Sequence, residues 1–262
     1  MALIHFDFFS ETLKLASSIK VAFSQRIKKQ KGAGHKSPVL YLLHGLSDDH
    51  SAWTRRSNIE RYVEKYDVVV VMPAVHRSFY RNTYAGHRYY DYVAQELPEL
   101  CRNYFSISEE REQTFVAGLS MGGYGAFKLA LSAPHNYAAA ASLSGALDLA
   151  GLAEQREESL PEWPSIFGPD SEIKGSEDDL LHLATQLVSL KTPNPNLFQC
   201  CGTDDFLYPA NQSFLQHTRK IGLPVDYQEG PGSHEWGYWD ENIQRVLKWL
   251  PLKELEMETN TR

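Results

Sequence analysis

Gly118-Leu119-Ser120-Met121-Gly122-Gly123 is the stretch from which the fold reads outward. It follows an apolar run, Gln113-Thr114-Phe115-Val116-Ala117, and precedes a helix-like segment from Tyr124 to Leu131. Strand, tight turn and helix in that order form the setting in which Gly-x-Ser-x-Gly exposes a serine hydroxyl on strained backbone. A side chain at position 118 or 122 would collide with the neighbouring strand or helix, so glycine is required at both. The rival reading is a glycine-rich turn that only lets a helix pack close to a sheet.

On either side of this turn the chain alternates between strand and helix patterns. Ile4-His5-Phe6-Asp7-Phe8 and Ile19-Lys20-Val21-Ala22-Phe23 alternate apolar and polar residues, which predicts an antiparallel pair at a sheet edge. Pro38 to Leu43 and Val68 to Met72, the second stopped by Pro73, are continuous apolar runs suited to strands buried on both faces. A helix is expected around Asn58 to Lys65. Another is expected from Tyr89 to Tyr104, kinked or broken at Pro98. Beyond the serine come a small-residue strand, Ala138 to Leu143, and an irregular excursion, Ala146 to Ser176. A helix (Asp178 to Leu190), a strand (Asn196 to Cys201), a helix (Pro209 to Ile221), a strand (Val225 to Gln228) and a last helix (Glu235 to Leu250) complete the pattern. The alternation predicts an α/β chain with a mostly parallel sheet, an antiparallel N-terminal edge and helices on both faces. The charged tail after Pro251 is expected to fray.

Size and composition exclude several classes. The 262 residues suit one domain over 1–262 with one large core. Net charge is −7, and the one basic run, Arg26-Ile27-Lys28-Lys29-Gln30-Lys31, reads as a solvated turn, so neither nucleic acid nor an anionic membrane is an expected partner. Cys101, Cys200 and Cys201 make no disulfide framework and read as small core hydrophobes. No Cys/His spacing suits zinc, and no metal or cofactor is expected. Charged and polar residues at His5, Asp7, Glu11 and Lys14 interrupt any signal-peptide core, and no apolar stretch is long enough to span a bilayer. The sequon Asn211-Gln212-Ser213 is therefore expected to carry no sugar, and a cytoplasmic location is expected.

A serine hydroxyl attacks only when a base takes its proton and a third group orients that base. On a sheet of this kind the three follow the order serine, acid, histidine. Of ten histidines, His217 and His234 lie after a plausible acid loop. His217 falls inside a predicted helix. His234 falls in the loop Gly230-Pro231-Gly232-Ser233-His234, which can hang an imidazole over the sheet edge. The turn Gly202-Thr203-Asp204-Asp205-Phe206-Leu207 offers two acids. Its spacing favours Asp205, with Asp204 left to cap the turn or the next helix. Oxyanion donors are expected at the N–H of Met121, at a helix N-terminus, and at the N–H of Leu46, after the turn His44-Gly45. His44 is expected to bond nearby backbone. The spacing of His44 and Asp49 matches an acyltransferase His-x-x-x-x-Asp motif without that fold's context, and reads as coincidence.

With these residues assembled, the chain resembles the esterase D group of α/β-hydrolases. It is most similar to the tributyrin-esterase and cinnamoyl (feruloyl) esterase branch and more distantly similar to S-formylglutathione hydrolases. The matching stretches run in order from Tyr41-Leu42-Leu43-His44-Gly45-Leu46, Arg56 to Arg61 and Val70-Val71-Met72-Pro73 to Glu96-Leu97-Pro98. They continue through Ala117 to Gly125 with Phe127 to Ala130, Ser144-Gly145-Ala146, Cys201 to Tyr208, and His234-Glu235-Trp236 with Tyr238-Trp239. The resemblance implies the α/β-hydrolase fold, with nucleophile Ser120, acid Asp205 and base His234. It also implies that the excursion at about 146–176 is a lid that shapes an acyl pocket. There Trp163 is either a substrate-binding wall or an aromatic that anchors the lid. The implied activity is a cofactor-free serine carboxylesterase for small, short-acyl esters, aromatic acyl groups included. Rival readings are a thioesterase of the S-formylglutathione hydrolase type, an antigen-85-like acyltransferase and a non-catalytic hydrolase-fold binding module. A homo-oligomer formed through the N-terminal edge is also admitted by the resemblance.

Overall fold

The structure is a computed structural model that describes residues 1–32, 34–153, 160–169, 171–190 and 192–256. Parts of the predicted excursion (154–159 and 170) and the charged tail from 257 onward lie outside the described residues.

Eight strands form one sheet in the order β1-β2-β4-β3-β5-β6-β7-β8. They are β1 (Ala2–Ser10), β2 (Leu15–Phe23), β3 (Val39–Leu43), β4 (Val69–Pro73), β5 (Thr114–Leu119), β6 (Ala139–Leu143), β7 (Asn196–Gly202) and β8 (Asp226–Gly230). β1 pairs with β2, and β2 with β4, antiparallel; every pair from β4 onward is parallel. This is the expected sheet, antiparallel edge included. Parallel neighbours need crossovers, and the helices supply them on both faces.

Strand periodicity divides the core in two. Val39, Tyr41 and Leu43 point to one face, with Val116 and the helix Met121–Ser132. Leu40 and Leu42 point to the other, with Trp53, Ile59, Ile243 and Val246. All five residues of β3 and of β4 are buried, which is why these runs carry no polar alternation. The three cysteines are buried and free.

Three local expectations change. The helix expected around Asn58 to Lys65 is present but shorter, Ile59–Val63, and a further short helix that the sequence reading did not expect, Ala52–Arg56, precedes it. The basic run is a six-residue helix, Arg26–Lys31, anchored by buried Ile27. The helical run from Tyr89 passes Pro98 without breaking. A π-helical turn, Tyr92–Glu96, directly precedes the α-helix Leu97–Tyr104, in which proline takes a first-turn position. A proline lacks the N–H that an α-helix needs and crowds the carbonyl four residues back, here that of Ala94 inside the π turn. Among the described residues no helix is long and apolar enough to cross a membrane. Asn211 is fully buried, donating to the carbonyls of Gly145 (2.8 Å) and Leu207 (2.9 Å), so the sequon is inaccessible to a glycan.

Candidate active site

Because β3, β5, β6, β7 and β8 run parallel, their C-terminal ends share one edge, and loops from that edge converge. Ser120 follows β5 directly at φ 54°, ψ −119°, a conformation that L-residues avoid. Its N–H donates to Leu143 O at 2.9 Å, which ties the strained residue to β6. A Cβ on Gly118 would lie 2.3 Å from Gly122 O, and one on Gly122 would lie 2.6 Å from Leu43 O. The elbow therefore needs both glycines, as its sequence implied.

The imidazole of His234 reaches Ser120 across 114 positions of sequence. His234 Nε2 lies 3.0 Å from Ser120 Oγ, while Nδ1 lies 3.0 and 2.9 Å from the two oxygens of Asp205. A carboxylate only accepts, so Nδ1 carries the proton and Nε2 is left to accept from the serine hydroxyl. Asp205 is almost completely buried. Burial alone would push its pKa up, but the hydrogen bonds from His234 and from the Leu207 N–H (2.8 Å) outweigh it and hold the carboxyl below its ordinary value. Asp204 is exposed, and its backbone N–H donates to Gly232 O at 3.0 Å. It thereby joins the acid turn to the histidine loop. His217 sits in the helix Tyr208–Ile221 with its Nε2 2.9 Å from Thr185 Oγ1, away from the convergence of loops.

The loop after β3 lies against the elbow: a Cβ on Gly45 would be 3.7 Å from Ser120 Cβ. His44 Nδ1–H donates to Gly45 O at 2.7 Å, and Nε2 accepts from Val75 N–H at 3.1 Å. Burial drives the His44 pKa down to about 4, so the ring stays neutral and keeps both bonds at neutral pH. In a planar trans peptide C=O and N–H point opposite ways, so fixing Gly45 O also fixes the direction of the Leu46 N–H. The Met121 N–H opens the helix Met121–Ser132, where a first-turn N–H has no carbonyl one turn back. His44 is thus a structural histidine, as expected, and Asp49 bonds Ser51 instead (2.8 Å to its N–H).

Aromatic rings enclose the imidazole. Phe206 lies 4.5 Å from it, ring centre to ring centre, and is 70% exposed; Trp239 meets it edge-on at 4.9 Å. Neither contact was legible in the sequence, although both residues sit in the stretches that carried the resemblance. Trp163 opens the short helix Trp163–Phe167 and is 5% exposed, its ring 4.2 Å from that of Phe167.

Residues 15–250 match the Esterase family model, described as "Putative esterase". The chain belongs to the esterase family. The esterase is 31% identical over 261 residues to an acetyl esterase of Caldicellulosiruptor saccharolyticus, covering 95% of this chain and 98% of that one. Among solved structures it is similar to the fluorophosphonate-binding serine hydrolase F of Staphylococcus aureus (34% identity, TM-score 0.88). It is also similar to an S-formylglutathione hydrolase of the same organism (34%, TM-score 0.85), and each comparison covers 95% of this chain and 98% of the other. These relatives bear out the resemblance read from the sequence and the α/β-hydrolase fold. The protein is a serine esterase, a hydrolase of carboxylic esters.

Proposed function

We propose that the esterase hydrolyses small, short-acyl esters through a Ser120-His234-Asp205 triad and an acyl-enzyme. The observation that carries this reading is the unbroken chain from Ser120 Oγ through His234 to Asp205, with both bonds near 3 Å. His234 Nε2 takes the Ser120 proton as Oγ attacks the ester carbonyl, and Asp205 holds the imidazolium that forms. The carbonyl oxygen becomes an oxyanion facing the N–H groups of Leu46 and Met121. His234 returns the proton to the departing alcohol. Water then attacks the acyl-enzyme by the same route and releases the acid. The short-acyl preference leans on the acetyl esterase relative. The helix Trp163–Phe167 and its surroundings form the lid over the acyl side, with Trp163 as its anchor or wall.

Ser120→Ala should lower turnover of p-nitrophenyl acetate by at least about 10⁴-fold while far-UV circular dichroism stays unchanged. Near-wild-type turnover would end the assignment, and failure of a fluorophosphonate to label the wild-type serine would revive the binding-module reading. A thioesterase is the second reading, favoured by the S-formylglutathione hydrolase relative. The ratio of kcat/KM on S-formylglutathione to that on acetyl and butyryl esters decides between them.

A further inference from the structure

We propose that Tyr80 is a positioning residue for oxyanion stabilisation, pinning the Gly45-Leu46 loop to the helix behind Ser120; this rests on the triad reading above. The segment from Val75 to Tyr80 follows β4 and contains three non-glycine residues at positive φ: His76, Phe79 and Tyr80, each at 51°. Aromatic residues held in that region are strained, so contacts elsewhere must hold them there. For Tyr80 those contacts are specific. Its side chain is fully buried, and its hydroxyl donates to His44 O at 2.9 Å. Its N–H is held by Ser78 Oγ at 3.2 Å.

The ring's seat is on the helix Met121–Ser132. A Cβ on Gly125 would meet Tyr80 Cδ2 at 2.4 Å, so the helix can carry the ring there only with glycine at 125. The same segment holds the other side of His44, since Val75 N–H donates to His44 Nε2. His44 is therefore gripped at its ring by Val75 and at its main chain by Tyr80. Its ring in turn fixes Gly45 O, and with it the peptide that presents the Leu46 N–H. One tyrosine thus sets the spacing between the two oxyanion donors, one on the loop and one at the start of the helix on which the tyrosine rests. Phe79, the adjacent residue at positive φ, packs 5.3 Å from Phe167 and 5.9 Å from Tyr124, so the strained pair sits between the lid segment and that helix.

Tyr80→Phe removes only the hydroxyl. Loosening one donor should cost part of the 10²–10³-fold lost when such a donor is deleted. The expected result is a fall in kcat of about tenfold, with KM changed less than twofold and the pH profile of kcat/KM unmoved, because the triad is untouched. Affinity for a trifluoromethyl ketone, which forms a tetrahedral adduct on the serine, should fall by the same factor as kcat/KM, while affinity for the product acid holds. Gly125→Ala should lower kcat similarly, and the double variant should be no slower than the slower single one. Wild-type kcat in Tyr80→Phe would overturn the proposal even if its melting temperature falls, as would a loss confined to KM. Ser120→Ala and fluorophosphonate labelling report on the triad separately, so a failure of this proposal is distinguishable from a failure of the triad reading.

Discussion

Asp204 and Asp205 are adjacent carboxylates with opposite fates. Turn spacing favoured Asp205, and the fold buries it against His234 while leaving Asp204 exposed. Asp205→Asn should reduce kcat by about 10⁴-fold, because an amide can hold the imidazole in the wrong tautomer. Asp204→Asn should leave kcat within about twofold, since its contribution to Gly232 is made by backbone. Steady-state kinetics of the pair checks this, and comparable losses in both would reverse the assignment. Such choices are legible in sequence because the acid is placed by a short turn from one strand end. The tilted packing of Phe206 against His234 is not, because it joins side chains from two loops.

Among the secondary-structure elements, the buried cluster around Asp178 is the feature that no local pattern announced. Lys128, on the helix Met121–Ser132, pairs with one Asp178 oxygen, and Arg81 Nε lies 2.9 Å from the other. Arg81 also donates to Ile166 O and lies over the Phe167 ring at 5.2 Å. Tyr124 O–H donates to Asp178 O at 3.0 Å. Burial lowers the Lys128 pKa, and the nearby carboxylate opposes that shift. The helix and the loop after β4 thus meet on one carboxylate, and Arg81 of that loop also holds the segment Trp163–Phe167. Asp178→Asn leaves two buried cations facing an amide and should destabilise the fold by about 3 kcal/mol, more than a surface ion pair contributes. Urea unfolding of wild type and variant measures it; a difference under about 1 kcal/mol would show that the cluster lends little support. The inner strands β3 to β7, by contrast, were readable to within a residue or two, since burial on two faces imposes a continuous apolar run. Pro98 was readable as a disturbance but not as a π turn, because only the packing around the helix selects how the lost hydrogen bond is absorbed.

For the molecule as a whole, the buried histidine His44 in the loop after β3 sets a dependence of stability on pH. Native His44 takes up its proton only near pH 4, whereas in the unfolded chain it does so near 6.5. Between those values the unfolded state binds more protons, so this contribution to stability is full above pH 6.5 and declines as the pH falls toward 4. At pH 4 the loss should be on the order of 3 kcal/mol. Urea midpoints from pH 7.5 to 4.5 should fall more steeply for wild type than for His44→Gln, and parallel curves would sink the assignment.

The sheet, its antiparallel edge, the strained serine and the histidine loop all follow from sequence, because apolar periodicity and glycine requirements act over a few neighbouring residues. What brings Ser120 within 3.0 Å of His234 is the shared edge of parallel strands, a property of topology. The positive φ of Phe79 and Tyr80 has no sequence signal at all, since neither is glycine or asparagine. The Tyr80 side chain is held by a carbonyl on the loop after β3 and seated on a glycine of the helix after Ser120, and the Phe79 ring by Tyr124 and Phe167, partners that only the tertiary structure brings together.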